Sequence, residues 1–331
     1  MSFNIFIIFS LFIGINCLTG PFTEDFRLWL ESAGYADYNF PSLHLGINAS
    51  YGGKDYKEQE LKRNPVIFIH GNSDGALDDG TEFSSGFTAS IRHFLSNGYT
   101  SGELYAITWG DRKLAKSFNR EHTCATLLRI RRFVEAVLTY TNSTKIDIIA
   151  HSMGVTLARQ IIKGGIIRDN IEACMIGKPI NHQIHTFVGI AAANYGLCSC
   201  NKETAAKMPA CGVLTGFYSG ETCRKHFKMP LTKHHKSHIS CSEAEPDHDC
   251  NPEYATNLMK LNSDKSFKDA QNVYSFWSEE DEIIGSNGVW GRKTSEIPNS
   301  DDVIVYRNKK HHALKTETVK DQYRAIVYGL Y

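Results

Sequence analysis

Lys145-Ile146-Asp147-Ile148-Ile149-Ala150-His151-Ser152-Met153-Gly154 is the stretch that decides how this chain of 331 residues is read. Lys145 to Ala150 is a short run rich in isoleucine, which suits a strand buried on both faces. Gly154 to Lys163 reads as a helix, stopped by Gly164-Gly165. The turn between them is sharp and lifts the Ser152 hydroxyl clear of the sheet edge. A crowded turn of this kind needs small residues two positions before and two after the serine. Ala150 and Gly154 meet that need, with alanine standing where glycine is commoner.

Working outward, Val66-Ile67-Phe68-Ile69 is another short buried strand, opened by Pro65. It runs into the glycine-rich loop His70-Gly71-Asn72-Ser73-Asp74-Gly75. Leu104 to Trp109, Thr186 to Ala192, Asn272 to Trp277 and Val303 to Tyr306 read as further strands. Thr123 to Thr141 has apolar residues at helical spacing. Thr23 to Ser32 reads as a short helix with Thr23 as N-cap, and a final helix is expected over Glu317 to Tyr328. Alternating strands and helices imply an α/β class with a mainly parallel sheet and helices on both faces. Residues 18–331 then form one domain. Residues 194–268, rich in Cys, His and Lys, read as an excursion from the sheet held by disulfides.

A serine hydroxyl is a poor nucleophile at neutral pH and needs a base beside it. That base is usually a histidine oriented by a carboxylate, and in folds of this kind the chain order is Ser, acid, His. Ser278-Glu279-Glu280-Asp281-Glu282 follows one expected strand, and Lys310-His311-His312 follows the next. Both clusters therefore fall at the strand ends that carry Ser152, where open α/β sheets gather their functional groups. Four acids and two histidines compete for the two roles. His151 is expected to point away from Ser152 and to pack or hydrogen-bond locally. Developing charge on an acyl oxygen would be received by two backbone N–H groups, here those of Asn72 and Met153.

Formal net charge is zero, from 36 basic and 36 acidic residues, which argues against a nucleic-acid partner. Residues 1–17 have the apolar core of a secretory signal peptide, too short for a stable membrane span. Removing them takes Cys17 and leaves Cys124, Cys174, Cys198, Cys200, Cys211, Cys223, Cys241 and Cys250. An even number in an oxidising compartment suggests disulfides, although eight cysteines allow 105 pairings. Asn48-Ala49-Ser50 and Asn142-Ser143-Thr144 are glycosylation sequons. His234, His235, His238, Cys241, His248 and Cys250 form a dense donor cluster. Paired cysteines and solvated histidines are the preferred reading there, with no metal site.

These segments resemble the class 2 lipases of the α/β-hydrolase superfamily, and most nearly a branch of secreted nematode lipase-related proteins. The resemblance is carried by Phe22-Thr23-Glu24-Asp25-Phe26, the loop His70 to Gly75, Tyr105 to Asp111, and Ala150-His151-Ser152-Met153-Gly154. Tyr254 to Leu258, Ser278 to Ile284 and His312-Ala313-Leu314-Lys315 add to it. It implies a secreted lipase or esterase of lipid catabolism, without a cofactor, acting on acylglycerols or related esters and touching lipid interfaces transiently. It further implies Ser152 as nucleophile, Asp281 as acid and His312 as base, with oxyanion N–H groups on Asn72 and Met153. The small bacterial members lack anything like residues 194–268. The competing expectations are a carboxylesterase on short soluble esters, an acyltransferase using the same acyl-enzyme, and a lipid-binding relative without activity.

Overall fold

The computed structural model describes residues 18–81, 83–220, 253–285 and 288–330. Seven strands form the central sheet. In chain order its first members are β1 (Ser50–Tyr51), β2 (Val66–Ile69), β3 (Leu104–Ile107) and β4 (Ile146–His151). A small hairpin, β5 (Ile166–Arg168) and β6 (Ala173–Met175), precedes β7 (Ile184–Ile190). Then come β8 (Asn272–Ser278), a second hairpin of β9 (Gly288–Val289) and β10 (Arg292–Lys293), and finally β11 (Asp302–Tyr306). The sheet order is β1-β3-β2-β4-β7-β8-β11. All its pairings are parallel except that of β1 with β3.

The helices are α1 (Glu24–Ser32), α2 (Thr88–Ser96), α3 (Cys124–Thr141), α4 (Met153–Lys163), α5 (Lys202–Ala205), α6 (Thr256–Leu261), α7 (His311–Glu317) and α8 (Val319–Val327). The α/β class with a mainly parallel sheet is thus observed. Every residue of β2, β3 and β4 is buried, as strands covered by helices on both faces must be. Phe68 on β2, for example, packs against Phe87 and Phe94. Burying such a ring contributes roughly 1.5–3 kcal/mol.

Thr23 and Thr123 lie just outside α1 and α3, and their hydroxyls accept the Phe26 and Thr126 N–H groups. Each cap contributes about 1 kcal/mol. The strand expected over Thr186 to Ala192 lies two residues earlier, because Ala191 turns the chain with φ +52°. The C-terminal helix expected over Glu317 to Tyr328 is α8, and α7, which had no expectation, precedes it across buried Thr318. The polar run Lys309 to His312 concealed α7. α2, β1 and the two hairpins had no sequence expectation.

Parallel register brings four loops to one edge. They follow β2 at His70, β4 at Ser152, β8 at Glu279 and β11 at Arg307. Residues leaving β7 start the excursion, and buried Arg159 on α4 ties down both its feet. The guanidinium donates to Asn194 Oδ1 at 2.8 Å, Asn262 Oδ1 at 2.9 Å and Asp269 Oδ2 at 3.0 Å. His122 fastens the middle: Nδ1 donates to Thr215 O at 2.6 Å, and burial lowers the ring's pKa to about 4. Disulfides join Cys124 to Cys174 and Cys200 to Cys211, and Cys198 is also disulfide-bonded. Cys223, Cys241, Cys250, the histidine cluster and residues 1–17 lie outside the described residues. Among the described residues no helix is long and apolar enough to cross a membrane.

Candidate active site

Ser152 stands between β4 and α4 with φ +56° and ψ −129°, a strained backbone for a residue with a side chain. Its N–H is anchored to Ile190 O at 2.8 Å. The small neighbours have a steric reason. A Cβ on Gly154 would lie 2.4 Å from the carbonyl oxygens of Ile69 and His70, and a Cβ on Gly71 would lie 2.8 Å from that of Ser152. The loop after β2 is therefore pressed against the serine turn. Met153 is the first residue of α4, and N–H groups of a first helical turn have no partner within the helix.

His70 fixes that loop from below. Its Nδ1 donates to Gly71 O at 2.7 Å, so its Nε2 must accept the Trp109 N–H at 3.0 Å. Trp109 Nε1 donates back to His70 O at 2.8 Å, and the two rings stack. Burial, opposed by Asp74, lowers the His70 pKa to about 3, so it is a neutral spacer.

The expected pairing of Asp281 with His312 is not what the structure contains. Asp281 is paired with His311, whose Nδ1 lies 2.9 Å from Oδ2 and 3.0 Å from Oδ1. Both side chains are almost fully buried. Helix phase is the reason. His311 is the first residue of α7 and shares its buried face with Leu314 and Lys315, three and four positions on. His312 is rotated about 100° around the axis and turns its ring toward Phe83, 5.9 Å away between centroids. Burial and the neighbouring His311 lower its pKa.

Two acids of the cluster after β8 act on this histidine. Asp281 also accepts the Ile283 and Ile284 N–H groups on Oδ1. Glu282 accepts the His311 backbone N–H at 2.9 Å, capping a helix that Lys310 leaves uncapped. The expectation that His151 turns away and bonds locally is not met: it lines the same cavity as Ser152, and its Nε2 donates to His311 O at 3.1 Å. Burial holds its pKa well below the ordinary histidine value.

A further tie had no sequence signal. Lys315 on α7 is ion-paired with Asp74 of the loop after β2, both inaccessible to solvent. The other Asp74 oxygen accepts the Gly75 and Gly86 N–H groups, each at 2.9 Å. Burial raises the Asp74 pKa, but Lys315 and the hydrogen bonds outweigh it, and the net shift is downward.

Ser152, His311, His312, Asn72 and Met153 line a cavity of about 360 Å³. The size is within the usual range for a small-molecule site. The rest of its lining is largely apolar and includes Phe83, Leu114, Phe118, Phe217, Ile283 and the Cys200–Cys211 disulfide. A serine hydroxyl on the same cavity as a buried carboxylate–imidazole pair has the elements of nucleophilic acyl transfer. Of the sequons, Asn142 is exposed at the end of α3. Asn48 is half-buried, accepting from Gly20 N and donating to Asp78 O.

The family model for Lipase (class 2) matches residues 63–324. The chain belongs to the class 2 lipase family. With that family it is a carboxylic ester hydrolase. The chain is also similar to three solved structures. Aspergillus fumigatus lipase B shares 11% identity at TM-score 0.44, covering 78% of this chain and 48% of that one. Paleococcus ferrophilus monoacylglycerol lipase shares 13% at TM-score 0.45, covering 84% and 95%. Bacillus licheniformis lipase BlEst2 shares 10% at TM-score 0.44, covering 83% and 96%. The chain spans about half the length of the Aspergillus structure.

Proposed function

We propose that this class 2 lipase is secreted and cleaves the ester bonds of acylglycerols through an acyl-enzyme on Ser152. Secretion is supported by the signal-like residues 1–17 and by the disulfides, which persist in oxidising compartments. The observation that carries the catalytic reading is the buried Asp281–His311 pair on the cavity that holds Ser152.

The imidazole Nδ1–H is given to Asp281, which leaves Nε2 bare to take a proton. His311 accepts the Ser152 hydroxyl proton as Oγ bonds to the acyl carbon, and the carbonyl electron pair moves onto oxygen. The N–H groups of Asn72 and Met153 receive that charge. The pair returns, the C–O bond to the alcohol breaks, and His311 hands its proton to the departing alkoxide. Water then repeats the sequence on the acyl-enzyme and releases the fatty acid. Asp281 keeps the tautomer and stabilises the imidazolium.

Lipid as substrate is supported by the apolar side of the cavity. Its mouth carries Phe83, Leu114, Phe118 and Ile283, each between 40% and 59% exposed. Such a rim suits transient contact with a lipid interface. The test compares wild type with Ser152→Ala on emulsified acylglycerol and on a short soluble ester. The expected loss is about a million-fold in kcat, as for removal of other triad serines. Equal turnover by the two proteins ends the reading.

A further inference from the structure

The side chain of Asn72 has no part in the chemistry just described, which uses only its backbone. It is nevertheless fully engaged. Its Nδ2 donates to Ser117 O at 2.8 Å, and its Oδ1 accepts from Arg120 Nη1 at 2.8 Å. The same Nη1 donates to Ser73 Oγ at 2.6 Å. The other guanidinium nitrogen, Nη2, donates to Lys113 O at 2.8 Å and to the Asp111 carboxylate. Ser73, held in this way, has the left-handed φ of +63°.

Ser117 belongs to the 3-10 segment Leu114–Asn119, which presents Leu114 and Phe118 to the cavity. A 3-10 run of this length has poor internal hydrogen bonds and depends on outside anchors. Leu114 and Phe118 are 51% and 59% exposed, so packing holds them weakly. Arg120 and Asn72 supply anchors, and they lead straight to the expected oxyanion loop.

We propose that Arg120 is a positioning residue which couples the apolar wall to the oxyanion N–H of Asn72. The proposal rests on the reading of that N–H given above. An acyl chain that seats against Leu114 and Phe118 orders the segment, and Ser117 O with Arg120 passes that order to Asn72. Binding energy from remote methylenes is then expressed in kcat as well as in KM.

The experiment measures kcat and KM for p-nitrophenyl acetate and octanoate. Wild type is compared with Arg120→Gln, Arg120→Lys and Asn72→Leu. Asn72→Leu keeps the backbone N–H and loses both side-chain bonds, so it tests the coupling even if loss of Arg120 impairs folding. The expected result for Arg120→Gln and Asn72→Leu is a fall of about 10- to 100-fold in kcat for octanoate. Losing one oxyanion donor outright costs about 10²- to 10³-fold. In the Arg120 variants acetate turnover and both KM values change less than about threefold, with Arg120→Lys between wild type and Arg120→Gln, whereas Asn72→Leu loses kcat on both esters but several-fold more on octanoate. An equal fall at both chain lengths means a merely structural role and overturns the coupling. So does a change confined to KM, or no change. If wild type hydrolyses neither ester, the reading of the site itself has failed. If wild type is active and the variants keep its chain-length profile, only the coupling has.

Discussion

The site joins two regions, a buried set of charges and imidazoles and a set of exposed apolar side chains. In the polar region Asp281, His311, His151, Asp74 and Lys315 are all almost fully buried. Each has a partner on another element. On the apolar side Leu114, Phe118 and Ile283 are about half exposed and belong to short turns outside the sheet. The difference separates two demands. Proton transfer needs groups fixed to within a fraction of an ångström. A hydrocarbon chain asks only for area, which exposed apolar surface supplies.

The largest effect that can break this comparison lies within one dipeptide. His311→Ala is expected to lower kcat about as far as loss of the serine, roughly a million-fold. His312→Ala, on the same cavity but unpaired with Asp281, is expected to cost less than about tenfold. Initial rates on one soluble ester decide it, and the reverse ranking would restore the base to His312. Next comes the tie beneath the polar side. Lys315→Met leaves Asp74 buried without its cation and is expected to destabilise by about 3–5 kcal/mol in urea melts. Adding Asp74→Asn should recover part of that, whereas additive losses would show that the pair is not the source. The smallest effect belongs to the apolar side. Phe118→Ser should leave the melt unchanged and lower kcat/KM on a long-chain ester by about three- to tenfold, with acetate unaffected. An equal loss on acetate would mean that the apolar side does more than offer area.

Much of the scaffold was readable because its signals are local. Ile146 to Gly154 announces strand, turn and helix within ten residues, and Thr23 and Thr123 announce their helices. Choosing between His311 and His312 needed the phase of α7. A local signal for that phase did exist. His311, Leu314 and Lys315 are at helical spacing, and Leu314 belongs inside, so the histidine sharing its face is His311. Burial of Lys315 would not have been guessed, since lysine is almost never fully buried unless paired. Its partner is 241 residues away, and no pattern in either neighbourhood points to the other. The Asn72–Arg120 contact was hidden for the same reason. The loop's backbone is legible from its glycines, but the destination of one amide side chain is a tertiary fact.

The distance between Asp74 and Lys315 also bears on how the protein is made. A chain leaving the ribosome exposes its serine turn early, while α7 is still unsynthesised. Contacts of such long range form late in folding, after the intervening segments have condensed. His311 and Lys315 arrive on the same short helix, so one docking event supplies both. On the proposed reading, a half-finished chain holds its nucleophile without a proton acceptor, and reactivity begins only when α7 docks.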